Sequence, residues 1–390
     1  MLKRVGILTL HSQLNYGGVL QCYALQETLR EMGFDAVVVD LWMHPCREGL
    51  DGVFARGLPP LRRARLALQS LLWPRMFARQ LRHLRTRAFV DRNLRLTDYH
   101  FLDWKDAPKN LGLDALVVGS DQVWHCGDFG NPSAYLLEGA PPVKAVAYAA
   151  SFGMESFPPG MKEVFERGLM RFSAISVREE RGVELAKEAG ASATHVLDPT
   201  LLADRGLWTR LAAPPPASSG RRRMVCYFVR QDIEDAYPHL EAFARERGYT
   251  VDVVTTQLRP HLDTREKRTC YLKSLLGAYP HIRIRASAGP LEFLKLFAGA
   301  DACVTDSFHA LMFSCVYNVN CRVLRPAGAY LGGQFARLSE FARYAEGPLF
   351  SASVADALRS LGAEGRTAYR DDLLSVRRGE CRQWLREALS

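Results

Sequence analysis

The stretch ACVTDSFHALMFSC, residues 302–315, limits the fold more than any other part of the chain. A short apolar run (Ala302, Cys303, Val304) passes through Thr305, Asp306 and Ser307 into Phe308 and His309. From there Ala310, Leu311, Met312, Phe313, Cys315 and Val316 are apolar on nearly every side. The pattern predicts a buried strand, a tight turn and a buried helix, with Asp306 or Ser307 capping the first free N–H groups. His309 then falls in the first helical turn at the carboxyl end of a strand, where open α/β sheets place their ligands. Helix N-terminal N–H groups suit an anion, and an imidazole beside them can exchange a proton near neutral pH. A core histidine with both ring nitrogens satisfied by neighbours accounts for the same spacing.

The same alternation of strand, turn and helix recurs along the chain. Val5–Leu10 reads as a buried strand, followed by a glycine-bearing loop, a helix from about Val19 to Met32, Gly33 as its stop, and a strand over Ala36–Leu41. That is a βαβ unit. Gly17-Gly18 is not a dinucleotide fingerprint, though paired glycines let backbone come close to a ligand or a neighbouring loop. Ala115–Ser120 is another strand, with Ser120 and Asp121 either capping a following helix or lining a site. Val143–Ser151 and Ala174–Arg178 continue the series. Arg178 ends an apolar strand and needs a partner there. Either Glu179 or Glu180 supplies it, or the guanidinium grips a phosphate or carboxylate. Residues 211–223 (LAAPPPASSGRRR) carry no hydrophobic period and read as a linker. Beyond it the grammar restarts with strands at 224–229, 250–255, 282–286 and 321–324 and helices at 232–247, 290–298, 334–344, 354–361 and 369–389. This divides the chain into domains at 1–210 and 224–390, in keeping with a length of 390 residues.

Charge narrows the partners. The net charge is +9, and Arg47–Arg95 alone holds twelve arginines against three acids, so the rest is near neutral. Within that insertion, Leu61-Ala64-Leu68-Leu71 and Phe77-Leu81-Leu84-Ala88 recur at helical spacing on either side of Pro74. These are two amphipathic helices with a solvated basic face, or a surface for anionic lipid, a polyanionic acceptor or a protein partner. No nucleic-acid-binding motif accompanies the charge, so nucleic acid is not expected. Nine scattered cysteines without a C-x-x-C pair argue against a disulfide framework and a zinc site. The apolar run at the N-terminus is too short for a signal-peptide core, and no span of about 18 apolar residues occurs. A cytoplasmic protein, peripheral at most to the inner face of a membrane, is expected.

TDSFHALMFS resembles the T/S-D-S-F/R-H-G signature of the polysaccharide pyruvyl transferase family. NYGGVLQCYALQ (15–26), GSDQVWH (119–125), YAASFG (148–153), SVREERG (176–182) and DPTLL (198–202) follow the family's order, so the resemblance covers most of the chain. It implies two Rossmann-like doubly wound domains facing a cleft, similar to B-type glycosyltransferases. It also implies transfer of a pyruvyl group from phosphoenolpyruvate to two hydroxyls of a sugar, giving a cyclic ketal and free phosphate. The setting would be cell-surface polysaccharide or glycoconjugate synthesis, with a sugar or lipid-linked oligosaccharide as acceptor. Phosphoenolpyruvate is then a co-substrate, with no cofactor; no metal-spaced His/Asp/Glu/Cys cluster is visible, so no metal ligands are assigned.

The resemblance makes His309, Asp306 and Arg178 the catalytic candidates: His309 as acid, Arg178 as anion clamp, Asp306 orienting the ring or the turn. Asn15, Tyr16, Gly17, Ser120, Asp121, Ser151, Ser307, Phe308 and Arg337 are the substrate-binding candidates. Family members that transfer pyruvyl often carry arginine where this chain has Ser307, which leaves Arg337 or another basic residue to supply the missing anion partner. Ala310 stands where the family has glycine. A nucleotide-sugar glycosyltransferase in the same cleft, and a non-catalytic binder of anionic glycan or lipid, are the alternatives.

Overall fold

The computed structural model describes residues 2–11, 15–41, 60–61, 64, 74–126, 132–214, 222–229, 236–255, 277–325, 337–363 and 365–390. Two parallel sheets organise them. The first uses β1 (Arg4–Leu8), β2 (Asp35–Leu41), β3 (Leu96–Phe101), β4 (Ala115–Val118), β5 (Lys144–Ala150), β6 (Ala174–Val177) and β7 (Thr194–His195), in the order β3-β2-β1-β4-β5-β6-β7. The second uses β8 (Arg222–Phe228), β9 (Tyr249–Thr255), β10 (Ile282–Ile284), β11 (Ala302–Thr305) and β12 (Asn320–Leu324). After a short strand β13 (Ala345–Glu346) comes its edge strand β14 (Phe350–Ser351), completing the order β10-β9-β8-β11-β12-β14. β13 and β15 (Ala368–Tyr369) pair as a small antiparallel ribbon.

In both sheets the strand order reverses beside the first strand, between β1 and β4 and between β8 and β11. Parallel strands covered on both faces must be apolar throughout, and β4 and β11 are buried at every residue. A reversal of order leaves a crevice at the strands' carboxyl ends, because the connecting helices diverge to opposite faces. The described helices are α1 (Tyr16–Glu31), α2 (Pro74–Asn93), α3 (Lys162–Leu169), α4 (Glu180–Glu188), α5 (Pro199–Leu202), α6 (Arg205–Leu211), α7 (Tyr237–Arg247), α8 (Pro290–Ala298), α9 (Phe308–Val316), α10 (Val354–Ala363) and α11 (Asp371–Leu389).

Helix α1 begins at Tyr16, earlier than the Val19 expected from sequence, because the Asn15 side chain accepts from Gly17 N at 3.0 Å and caps it. Gly17 and Gly18 thus lie in the first helical turn, not in a loop. No helix starts at Ser120 or Asp121 among the described residues through Cys126, against the capping expectation. Asp121 takes a left-handed φ of 73° and bridges to Ala150 instead.

Several contacts among the described residues join the lobes. Helix α2 presses on the second lobe, with Arg82 Nη1 donating to Thr255 O at 3.0 Å and Arg85 Nη1 to Ser287 O at 2.8 Å. A basic face turned to solvent is therefore not the whole account of this insertion. Its first half, including most of the Leu61–Leu71 run, lies outside the described residues, as do 215–221 of the expected linker and 334–336 of the expected helix. Tyr16 stacks on Phe293 of α8 at 4.6 Å, and its hydroxyl donates to Ala288 O at 2.8 Å. Last, α11, which the sequence reading groups with the second domain, packs back on the first sheet. Leu197 N donates to Cys381 Sγ at 3.3 Å, and Trp384 meets Tyr148.

Candidate active site

The carboxyl ends of β4, β5, β6 and β7 converge on one guanidinium. Arg178, just past β6 and with no exposed side-chain surface, donates from Nη1 to Asp198 Oδ2 at 3.0 Å and from Nη2 to Asp121 Oδ1 at 3.2 Å. Glu179 Oε2 lies 3.8 Å from its Nε. Each carboxylate has its own support. Asp198 Oδ1 accepts from Thr200 N and Oγ1 at 2.9 and 2.7 Å, and its Oδ2 also accepts from Ser120 Oγ at 2.8 Å. Asp121 Oδ2 accepts from Asn15 Nδ2 at 3.1 Å. Glu179 Oε1 accepts from Ser151 Oγ at 2.8 Å and Gly153 N at 3.0 Å. Three buried acids on one arginine is a dense charge network, and it holds Asp121 in a backbone conformation that costs a non-glycine residue roughly 1–2 kcal/mol.

His309 comes to this network from the second lobe. Strand β11 and helix α9 form where sequence places them, and Ser307 is the cap, its hydroxyl accepting from Ala310 N at 3.4 Å. The ring lies against the first turn of α1: a Cβ on Gly17 would fall 2.0 Å from His309 Nδ1, so only glycine fits. His309 Nε2 sits 3.9 Å from Asp198 Oδ2, is shielded from solvent, and has no hydrogen-bond partner. Burial holds His309 below the ordinary histidine range, with Asp198 and Asp121 pulling up and Arg178 and Arg337 pushing further down. Burial would raise Asp198, but the charge His309 carries when protonated, the Arg178 charge and the Thr200 hydrogen bonds hold it below the usual carboxylate range. With Arg178 at hydrogen-bond distance, the pair rests as carboxylate and neutral imidazole at neutral pH.

Around the ring, the guanidinium carbons of Arg178 and Arg337 lie 5.0 and 5.7 Å from the Phe308 ring centroid. Asn15, Gly17, Ser120, Asp121, Ser151, Ser307, Phe308 and Arg337 are therefore all brought to the neighbourhood of His309 and Arg178. Three expectations change. Arg178 is not a free anion clamp, because its charge is already answered three times over, by Glu179 as sequence allowed and by Asp121 and Asp198 besides. Glu180 pairs with Arg343 instead. Of the two roles open to Asp306, its bond serves the turn: Oδ1 accepts from Val229 N at 2.7 Å and ties β11 to β8 across the second switch point, while the carboxylate 3.9 Å from the ring is Asp198. Tyr16 is an interlobe packing residue, 1% exposed, one position away from the histidine seat.

Sequence reasoning missed Asp198. It lies in the DPTLL match, and an acid before proline at a helix start is a cap signal, yet nothing local shows that its second oxygen reaches Arg178 and the far lobe's histidine. Among the described residues no group of three metal-ligating side chains could hold a metal ion. A depression lined by Leu2, Lys3, Arg4, Asp35 and Asp114 lies at the opposite, amino end of the first sheet.

The family model described as polysaccharide pyruvyl transferase matches residues 15–327. The chain belongs to that family. No curated protein matches it in sequence. Among solved structures it is similar to an S. aureus MnaA–UDP co-structure, with 11% identity, TM-score 0.50, and 97% of this chain and 91% of that one covered. It is also similar to the Neisseria meningitidis UDP-GlcNAc 2-epimerase bound to UDP-GlcNAc, at 10% identity, TM-score 0.49, and 100% and 99% coverage. For E. coli heptosyltransferase WaaC with ADP-2-deoxy-2-fluoro heptose the values are 13%, 0.41, and 92% and 96%. The likeness to the MnaA structure is of fold, two parallel α/β lobes. As a pyruvyl transferase family member the chain is a transferase of polysaccharide biosynthesis. No described helix is long and apolar enough to cross a membrane.

Proposed function

We propose that this family member moves a pyruvyl group from phosphoenolpyruvate to two hydroxyls of a sugar on a cell-surface polysaccharide or glycoconjugate precursor. The observation that carries the reading is the meeting of His309 with the Asp198–Arg178–Asp121 network across the two lobes. The reaction needs a proton on the methylene carbon, a place for the oxocarbenium-like centre this makes, and partners for the leaving phosphate. His309 Nε2, buried and without a hydrogen-bond partner, is assigned as the proton donor. The three carboxylates outnumber Arg178 and supply negative potential that suits an oxocarbenium centre, as paired carboxylates do in glycoside chemistry. The first sugar oxygen adds to the cationic carbon, the carbon–oxygen bond to phosphate breaks, and the second hydroxyl closes the ketal. Of the two hydroxyl protons, one replaces that given to the methyl group and the other leaves with phosphate.

The same excess of acid repels the donor's own phosphate from Arg178. Phosphate binding is therefore assigned to Arg337 and the N–H groups at the start of α9. A bound dianion there would raise His309 and charge it only when donor is present. Because Nε2 is shielded, donor entry requires the lobes to part. The acceptor is assigned as a sugar or lipid-linked oligosaccharide, the latter brought to the basic insertion at an anionic membrane surface, and no cofactor is required.

Phosphate release from phosphoenolpyruvate with a panel of sugar acceptors is the test. Release that depends on acceptor and falls at least a hundredfold in His309→Ala supports the reading. Turnover of a nucleotide sugar with no phosphoenolpyruvate-dependent phosphate would replace it with glycosyl transfer. Neither activity, together with salt-sensitive vesicle binding, would leave a non-catalytic binder.

A further inference from the structure

Another buried guanidinium lies on helix α2. Arg82 is 3% exposed, yet no carboxylate among the described residues lies within ion-pair distance of it. Its Nη1 donates to Thr255 O, its guanidinium carbon stands 5.9 Å from the Tyr16 ring centroid, and its Nε is buried with no partner. One turn on, the half-exposed Arg85 has Glu292 at 3.7 Å. A wholly structural buried arginine in the same molecule looks different: Arg322, 0% exposed, is held by Asn320, Thr367, Ser360, Cys321 and Gly365 oxygens. Burying a charge without an opposite charge or a full set of hydrogen bonds is strongly unfavourable, so a buried cation that no described carboxylate answers points to a bound anion.

Position supports this. Thr255 is the last residue of β9, so Arg82 stands at the carboxyl end of the second sheet, in the seam between the lobes. Tyr16, beneath the guanidinium, precedes the glycine on which His309 rests. An anion held here lies beside the reaction site but outside the acid-rich network, where its charge is not opposed. The geometry points to Arg82 as a binding residue for the phosphate or diphosphate group of a substrate, with the Nε edge, the usual gripping edge of a guanidinium, turned to it. The name of that substrate rests on the pyruvyl-transfer reading; the anion site does not.

Thermal stabilisation of the full chain by inorganic pyrophosphate and by phosphoenolpyruvate tests it, in wild type, Arg82→Gln and Arg82→Lys. The expected result is that at least one probe stabilises wild type, that Arg82→Gln weakens its apparent affinity tenfold or more, and that Arg82→Lys weakens it less. Loss for pyrophosphate alone assigns the site to a diphosphate-bearing acceptor; loss for phosphoenolpyruvate assigns it to the donor. Without ligand, Arg82→Gln should melt no lower than wild type, since it removes an unanswered charge. Unchanged affinity in Arg82→Gln, no stabilisation of wild type by either probe, or an Arg82→Gln chain that loses several degrees or fails to fold overturns the proposal and leaves Arg82 a structural tie. His309→Ala separates the two readings: it should abolish phosphate release while the Arg82-dependent shift survives.

Discussion

Arg178 and Arg82 are both nearly inaccessible, both at sheet ends, and both at the seam between lobes, but their surroundings differ in kind. Arg178 has three carboxylates and is locked by them. Arg82 has a carbonyl oxygen and an aromatic face. The first is part of a preset charge network that positions a histidine and a carboxylate. The second is a charge that no described carboxylate answers. Burial alone therefore does not tell a structural arginine from a ligand-binding one; the inventory of acceptors does.

The largest expected effect separates the two directly. Arg178→Met leaves three buried carboxylates unpaired and should cost about 3–5 kcal/mol in denaturant unfolding, whereas Arg82→Gln should cost nothing measurable. Similar losses for both would erase the distinction. Next is Gly17→Ala, whose methyl displaces the His309 ring. Phosphate release should fall about a hundredfold, as for a misplaced catalytic group, while the chain stays folded. Near-normal turnover would detach the ring's seat from the chemistry.

Acidity sharpens the contrast further. Since burial lowers His309 from its ordinary 6.5, the unfolded chain takes up a proton that the native chain refuses, and stability falls as pH drops through that value. Asp198, also lowered, adds a loss as pH falls through its ordinary 3.8 and below. Arg178→Met removes a charge that pushes His309 down, so the loss on acidification should become smaller and end at a higher pH; an unchanged stability profile would deny the coupling. In catalysis, the limb of kcat that reports the charged histidine should lie at higher pH than the limb of kcat/KM, because only donor-bound protein carries the raising anion.

The smallest effect concerns the far side of Arg178. Glu340, from the second lobe, accepts from Glu180 N at 3.1 and 3.2 Å at the start of α4, beside Glu179, His195 and Arg343. Burial, with Glu180 and Glu179, raises it to about 7. The native chain then keeps a proton that the unfolded chain has lost, so this group's contribution is full at low pH and disappears as pH rises from 4.5 through about 7. Glu340→Gln should therefore melt higher than wild type at pH 8 and close to it at pH 5. The opposite order would mean that the carboxylate holds the lobes together.

Much of this was legible without coordinates. Apolar runs of strand length broken by capping turns dictate two doubly wound sheets, since such runs are stable only when covered on both faces. Residues 302–315 announce the strand, the Ser307 cap and the place of His309, because these depend on neighbours in the chain. What sequence left open was long-range. Whether Arg178 was paired or free turned on Asp121 and Asp198, 57 and 20 positions away. Why α1 opens on glycine turned on a ring from the other lobe. The basic insertion read as surface because twelve arginines suggest solvent, and only packing showed Arg82 turned inward. Local pattern fixes which elements form, through periodicity and capping; which charges are answered depends on residues that meet only after the lobes close.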